Sequence, residues 1–216
     1  MRAVKRWFRD NILEPMRSNG ISISLRTVRI NNTLKKPGPV FLEMARTAYR
    51  EGAQFFYRVN DDTEFVTRWP KVFVRSLQSL GGMVGVVGPL CNQGNQKILT
   101  HDFVHRTHLE IFEMNYYPPE LVDWWMDDWI SFVYGRGRTF KARGVTVIHH
   151  TGAHGQRYEV NPNNEKHLWS LVEQGHAKIR RFLLKASADS AQMTAFDSEA
   201  YSKPFDHKDA PAIAYK

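Results

Sequence analysis

Two adjacent carboxylates, Asp61 and Asp62, follow the run Phe55-Phe56-Tyr57-Arg58-Val59-Asn60. When both are ionised they repel, so the pair calls for a cation, hydrogen-bond donors or full solvation. Hard oxygen ligands of this kind suit Mg²⁺ or Mn²⁺, ions that also hold substrate phosphates. An acidic turn at a strand end is the competing structural reading. A second acidic pair lies inside Trp124-Trp125-Met126-Asp127-Asp128-Trp129. Indole walls exclude water and raise a carboxyl pKa, whereas a helix N-terminus lowers it, and opposing influences of that sort can poise a general base. The alternative there is an aromatic helix in which one of the acids caps a backbone amide. The third group is His149-His150-Thr151-Gly152-Ala153-His154-Gly155-Gln156-Arg157. Its imidazoles, glycines and arginine can supply a metal ligand and phosphate donors.

Two weaker signals accompany these three. His101, His105 and His108 are spaced for one face of a helix, where a polar face is favoured over a metal site. Pro89 to Asn95, with Asn92 and Asn95, reads either as a site loop at a strand end or as a plain connection.

The elements that would position these groups follow from hydrophobic period. Val4, Trp7, Phe8, Ile12 and Leu13 recur at helical spacing across residues 2–18, and Asn19-Gly20 stops that helix. Residues 21–30 alternate apolar and polar as a strand does. A polar loop through Lys36 leads to Pro39 and an amphipathic helix, residues 39–51, stopped at Gly52. Phe55 onward is a strand delivering the first acids to the mouth of a sheet, where open α/β sheets bind ligands. Trp69-Pro70 opens a helix to Leu80, Val84–Gly88 is a buried strand, and residues 139–148 form another. Residues 165–186 make one amphipathic helix, and 187–216 a loose polar tail. Alternating helices and strands predict a parallel sheet with crossover helices.

At 216 residues, with 42% hydrophobic and 12% aromatic content, the chain suits one core-forming domain with appendages and excludes a disordered chain. Formal charge is +8 and pI about 9.6, which suits anionic partners: nucleotide phosphates, acidic glycans, nucleic acid or a membrane surface. The Lys and Arg residues are mostly scattered, denser only at 2–9 and 178–185, so most form a solvated surface. A single cysteine, Cys91, excludes an internal disulfide or a Cys-cluster zinc site. No apolar run reaches the roughly 18 residues of a membrane span, and no signal-peptide core follows Met1.

Acids, acids and histidines in that order resemble the nucleotide-sugar-dependent glycosyltransferases of the GT-A fold, family-2-like, over roughly residues 20–160. The resemblance implies an α/β, Rossmann-like, mostly parallel sheet flanked by helices. It spans residues 1–160, followed by a C-terminal helix (161–188) and a tail (189–216). Asn60-Asp61-Asp62 matches the family's Asp-x-Asp-type motif with Asn60 in place of the first acid. By that match Asp62 holds Mn²⁺ or Mg²⁺ on the donor diphosphate, and Asp61 lies near ribose or phosphate. Asp128, with Asp127 before it, stands where the base stands, and His150 or its neighbour His149 completes the metal site. Asn60, Lys36, His154 and Arg157 become donor-binding candidates, and Trp124, Trp125, Trp129, Asn92 and Asn95 acceptor-binding ones. The implied reaction moves a sugar, with inversion, from a UDP- or GDP-sugar to a hydroxyl of a glycan, glycoprotein or glycolipid, without nucleic acid. Family members begin with a strand that seats the base, whereas this chain opens in what resembles the next helix. An N-terminally incomplete chain is therefore expected, in the Golgi or ER lumen if an anchor lies upstream and in the cytoplasm otherwise. Two rival classes remain: a metal-dependent phosphohydrolase with water as nucleophile, and a basic module binding polysaccharide or nucleic acid.

Overall fold

A computed structural model describes residues 2–152, 159, 161–189 and 214–215. The chain divides into two compact units, Met1–Asn31 and Asn32–Lys216. The first is a helix in three pieces, α1 (Arg2–Phe8), a π turn (Arg9–Leu13) and α2 (Glu14–Ser18), followed by irregular chain. Residues 21–30, expected as a strand, form none. Their alternation is real, but a strand needs a hydrogen-bonding neighbour, and the described residues of this unit supply none.

The second unit holds α3 (Pro37–Arg50), β1 (Phe55–Arg58), β2 (Thr63–Phe65), α4 (Pro70–Gln78), β3 (Val86–Cys91) and β4 (Asp102–His105). It continues with α5 (Thr107–Ile111), α6 (Trp125–Val133), β5 (Thr139–His149), α7 (Glu165–Asp189) and the two-residue β6 (Ala214–Tyr215). Strand order is β1-β4-β3-β5-β2, with β6 parallel to β5. β3 and β5 are parallel, while β4 is antiparallel to both β1 and β3, and β2 is antiparallel to β5. The fold is therefore α/β, but its sheet is mixed and not mostly parallel. The cause lies between β3 and β4, which are joined by a loop without a helix; a parallel neighbour would require a long crossover.

A second correction concerns the histidines of residues 101–108. The spacing suggested one helix, yet Asp102–His105 is a strand and only Thr107–Ile111 is helical. Phe103 and Val104 face opposite sides of the sheet, each into a different core, so the period of two prevails over the histidine spacing. One core, with Phe73, Leu77, Val87, Phe103 and Phe140, lies under α4. The larger one gathers α3, α5, α6 and α7 on the other face. There α7 contributes Leu168, Val172, Ile179 and Leu183, each worth about 1.5–3 kcal/mol relative to exposure. The helices approach closely at Gly175, where a Cβ would come within 2.3 Å of Val133 Cγ2. The C-terminal helix is thus part of the same packed unit.

Candidate active site

The end of β1 opens into a cleft of about 740 Å³. Arg58 to Asp62 form one wall, the start of α3 with Lys35 and Lys36 another, and Asp123, Trp124, Met126 and Asp127 a third. His149, at the end of β5, and Thr151 close it. Two local features bring these walls together. Gly38 donates its N–H to Val122 O at 3.0 Å, and a Cβ there would sit 2.9 Å from Val122 Cα, so only glycine lets α3 meet the 121–124 segment. Thr63↔His149 pairing of β2 with β5 brings the acidic turn beside the histidines, 87 residues later in the chain than Asp62.

At this turn His149 Nε2 lies 3.0 Å from Asp62 Oδ1 and 3.2 Å from Asn60 Nδ2. The His150 N–H donates to Asp62 O at 2.9 Å, and Asn92 Oδ1 accepts from the His149 N–H at 2.9 Å. His101 packs edge-on to His149 with ring centroids 5.1 Å apart, and its Nε2 is 2.7 Å from Thr63 Oγ1. Burial, with the positive charge of Arg58 adding to it, drives the His101 pKa down to about 3, so that ring is a neutral support. Among the described residues of the cleft, the ligand-type atoms that meet here are the Asp62 carboxylate oxygen and the His149 imidazole nitrogen. Among the described residues no group of three or more His, Cys, Asp and Glu is arranged to hold a metal.

The opposite side is built on Arg58. Its Nε donates to Asp102 Oδ2 and Tyr117 OH, each at 2.9 Å, and Nη1 to Thr100 O at 2.8 Å. Nη2 meets Asp102 Oδ2 at 2.8 Å and Asp127 Oδ1 at 2.5 Å. Asp102, wholly buried, also accepts from Tyr116 OH at 2.6 Å and Tyr117 OH at 2.7 Å. One guanidinium thus serves two carboxylates, and the phenols supply the remaining donors that a buried anion needs. Burial raises the Asp127 carboxyl to about 7, against the downward pull of Arg58. Its side chain stays 23% exposed in the cleft, with Oδ1 fixed on the arginine.

Seven of the residues singled out by sequence line the one cleft: Lys36, Asn60, Asp61, Asp62, Trp124, Asp127 and His149. The others do not. The His150 ring points to the exposed Glu64, at 2.9 Å, and so is turned away from the Asp62 carboxylate. Asp128 is absent from the lining; burial lifts its carboxyl to about 6, with Glu165 pushing the same way. Trp129 is in the core with its indole N–H on Leu171 O at 3.2 Å, which corrects its assignment to an acceptor surface. Trp125 is half-buried, its indole N–H on Asn161 O at 3.1 Å. Asn92 supports His149, and Asn95 Oδ1 accepts from Lys97 N–H in its own turn at 2.9 Å; neither lines the cleft. His154 and Arg157 lie outside the described residues.

Three residues escaped the sequence reading: Arg58, Asp102 and Asp123. An arginine inside an aromatic strand was the available signal for the first, since such a charge must find partners. Asp123 is fully buried; its Oδ2 accepts from Asn161 N–H at 3.1 Å and faces Lys36 Nζ at 3.5 Å. Lys36 Nζ also donates to Glu159 O. No family profile, curated protein or solved structure matches the chain.

Proposed function

We propose that the protein is a GT-A-like glycosyltransferase that moves a sugar from a nucleoside-diphosphate donor to an acceptor hydroxyl with inversion. The observation carrying this reading is the single cleft lined by Asn60-Asp61-Asp62, His149 and Asp127, three stations far apart in sequence. Its 740 Å³ is within the range of sites that enclose a substrate of nucleotide-sugar size.

Asp62 and His149 would hold Mn²⁺ or Mg²⁺. A carboxylate oxygen and an imidazole nitrogen 3.0 Å apart are a fitting pair of donors for such an ion. When bound, such an ion neutralises charge on the leaving diphosphate. Lys36, on the cleft wall, adds positive charge for the same phosphates. Trp124, 58% exposed, offers an apolar face to the acceptor ring.

Asp127, rather than its neighbour, is the base in this mechanism. The acceptor O–H proton passes to Asp127 as the acceptor oxygen bonds to the anomeric carbon. The bond from that carbon to the diphosphate oxygen breaks on the far side, and the electron pair leaves with the nucleoside diphosphate. Arg58 holds the carboxylate in place throughout, and a pKa of about 7 suits a base at neutral pH.

Calorimetric titration with UDP and with GDP, with and without Mn²⁺, tests the donor site. Metal-dependent binding of one nucleotide, lost in Asp62→Ala, is expected. Binding indifferent to both metal and Asp62 would refute the proposal. Donor hydrolysis unaffected by any acceptor would replace it with a phosphohydrolase.

A further inference from the structure

The first unit carries a surface that the cleft chemistry does not use. Residues 1–31 contain seven Lys or Arg against two Asp or Glu, a net +5 of the chain's formal +8. Within the helix of residues 2–18 no described side chain is buried. Val4 is 62% exposed and Trp7 60%, while Phe8, Ile12, Leu13 and Met16 are half-exposed. Lys5, Arg6, Arg9 and Arg17 are all exposed, Arg9 and Arg17 beside Asp10 and Glu14 of the same helix.

The π turn at Arg9–Leu13 determines how these residues are distributed. A π turn accommodates an extra residue, so it sets the helical phase back by about one position. In an uninterrupted α-helix Leu13 and Met16 would drift round towards the basic side. With the turn in place, Ile12 and Met16 continue the stripe begun by Val4, Trp7 and Phe8, Leu13 lies at its edge, and Lys5, Arg6, Arg9 and Arg17 occupy the other side. A tryptophan-bearing apolar stripe backed by lysine and arginine is the composition of a helix that lies in a membrane interface. No described helix is long and apolar enough to cross a membrane, so lying on the surface is the relevant mode.

We propose that the helix of residues 2–18 docks flat on an anionic lipid surface, with Val4, Trp7, Phe8 and Ile12 among the acyl chains and its basic side chains at the headgroups. Charge selects the partner. The net +5 repels the same unit of a second copy, which argues against self-pairing of this face. A polyanion such as nucleic acid would satisfy the charges, but it would leave the aliphatic Val4, Ile12, Leu13 and Met16 in water. An acidic bilayer satisfies both sides of the helix at once.

Co-sedimentation of the full chain with vesicles decides the matter, using phosphatidylcholine alone and phosphatidylcholine with phosphatidylserine. The wild type is expected to bind the anionic vesicles at least tenfold more strongly, with binding that weakens as salt rises. Each basic residue at the surface is worth about fivefold, so Lys5→Glu/Arg6→Glu should reduce binding by more than tenfold. Trp7→Ser, at an exposed position that leaves folding intact, should reduce it on the order of tenfold. Wild-type binding that neither variant weakens, or no binding to either vesicle, would overturn the proposal. So would tighter binding to an oligonucleotide at the same salt, or a Trp7-dependent dimer in sedimentation without vesicle binding.

Discussion

Two pairs of adjacent aspartates behave alike in sequence and differently in space. In each, one carboxylate is partly buried against a basic side chain at the cleft, while its neighbour is more exposed or off the lining. Asp62 is nearly buried against His149, whereas Asp61 is exposed at the cleft mouth. Asp127 is fixed on Arg58 inside the cleft, and Asp128 lies off its lining. On a turn, neighbouring side chains diverge by loop geometry; on a helix they diverge by about 100°. The helix therefore delivers one acid of its doublet, Asp127, to the cleft, whereas the turn brings both Asp61 and Asp62 to it and sets Asp62 against His149. The pairs also differ in their support. Asp127 rests on an interior network of an arginine, a second aspartate and two tyrosines, while Asp62 has one imidazole and turn hydrogen bonds.

The sharpest way to break this comparison is to remove each acid of the second pair. If Asp127 is the base, Asp127→Asn should lower kcat by about 10³-fold with nucleotide binding unchanged, and Asp128→Asn should cost less than about threefold. The reverse ranking would restore Asp128 to that role. The pH profile adds a sign. A base acts when ionised, so the rate should rise with pH through about 7, the value to which burial lifts Asp127, and then level off. Asp127→Asn should abolish that limb.

Arg58 sets the difference in support between the two pairs. Arg58→Met leaves the wholly buried Asp102 and the cleft carboxylate of Asp127 without their cation, and should lower stability by about 3 kcal/mol in urea titration. Arg58 pulls the Asp127 pKa down, so any active remnant of the variant should show its rising limb displaced to higher pH. A limb that stays near 7 would show that burial alone sets it. A milder comparison sits in the first pair. Asp62→Ala should weaken metal-dependent nucleotide binding at least tenfold, and the exposed Asp61→Ala by about threefold, both read by calorimetry.

Much of this arrangement could be read from residue order. The strand at Phe55, the helices of residues 39–51, 70–80 and 165–186 and the strand of 139–148 are present within a few residues, because each has an unambiguous period and capping signals. What sequence withheld was direction and partnership. The period of β4 was masked by histidines that also fit a helix, and its antiparallel insertion between β1 and β3 makes the sheet mixed. Residues 21–30 show the converse: a strand pattern without a neighbour to pair with. Within the site, residue types were legible and the choice between adjacent residues was not. Asp127 against Asp128, and His149 against His150, depend on a helical phase and a strand register that no local pattern specifies. Arg58 was hidden because a strand-embedded charge announces a partner without naming it.

The histidine pair gives the smallest effect and the cleanest control. Both imidazoles touch a carboxylate at close to 3 Å, His149 on Asp62 and His150 on Glu64. Distance alone would rank them equal. Exposure does not: the His149 and Asp62 side chains are 13% and 8% exposed, those of His150 and Glu64 50% and 55%. Water screens the outer pair, and such surface pairs are worth about 0–1 kcal/mol. His150→Ala should accordingly shift stability by under about 0.5 kcal/mol in urea titration and leave metal-dependent nucleotide binding within about twofold of wild type. The backbone N–H of residue 150, which holds Asp62 O, survives this substitution, so the turn itself is preserved. His149→Ala removes the ring that meets Asp62 and Asn60, and should reproduce the nucleotide-binding loss of Asp62→Ala. If instead the two alanine variants weaken nucleotide binding equally, the ligand site extends past the cleft lining to Glu64, and the division between inner and outer members of each pair fails.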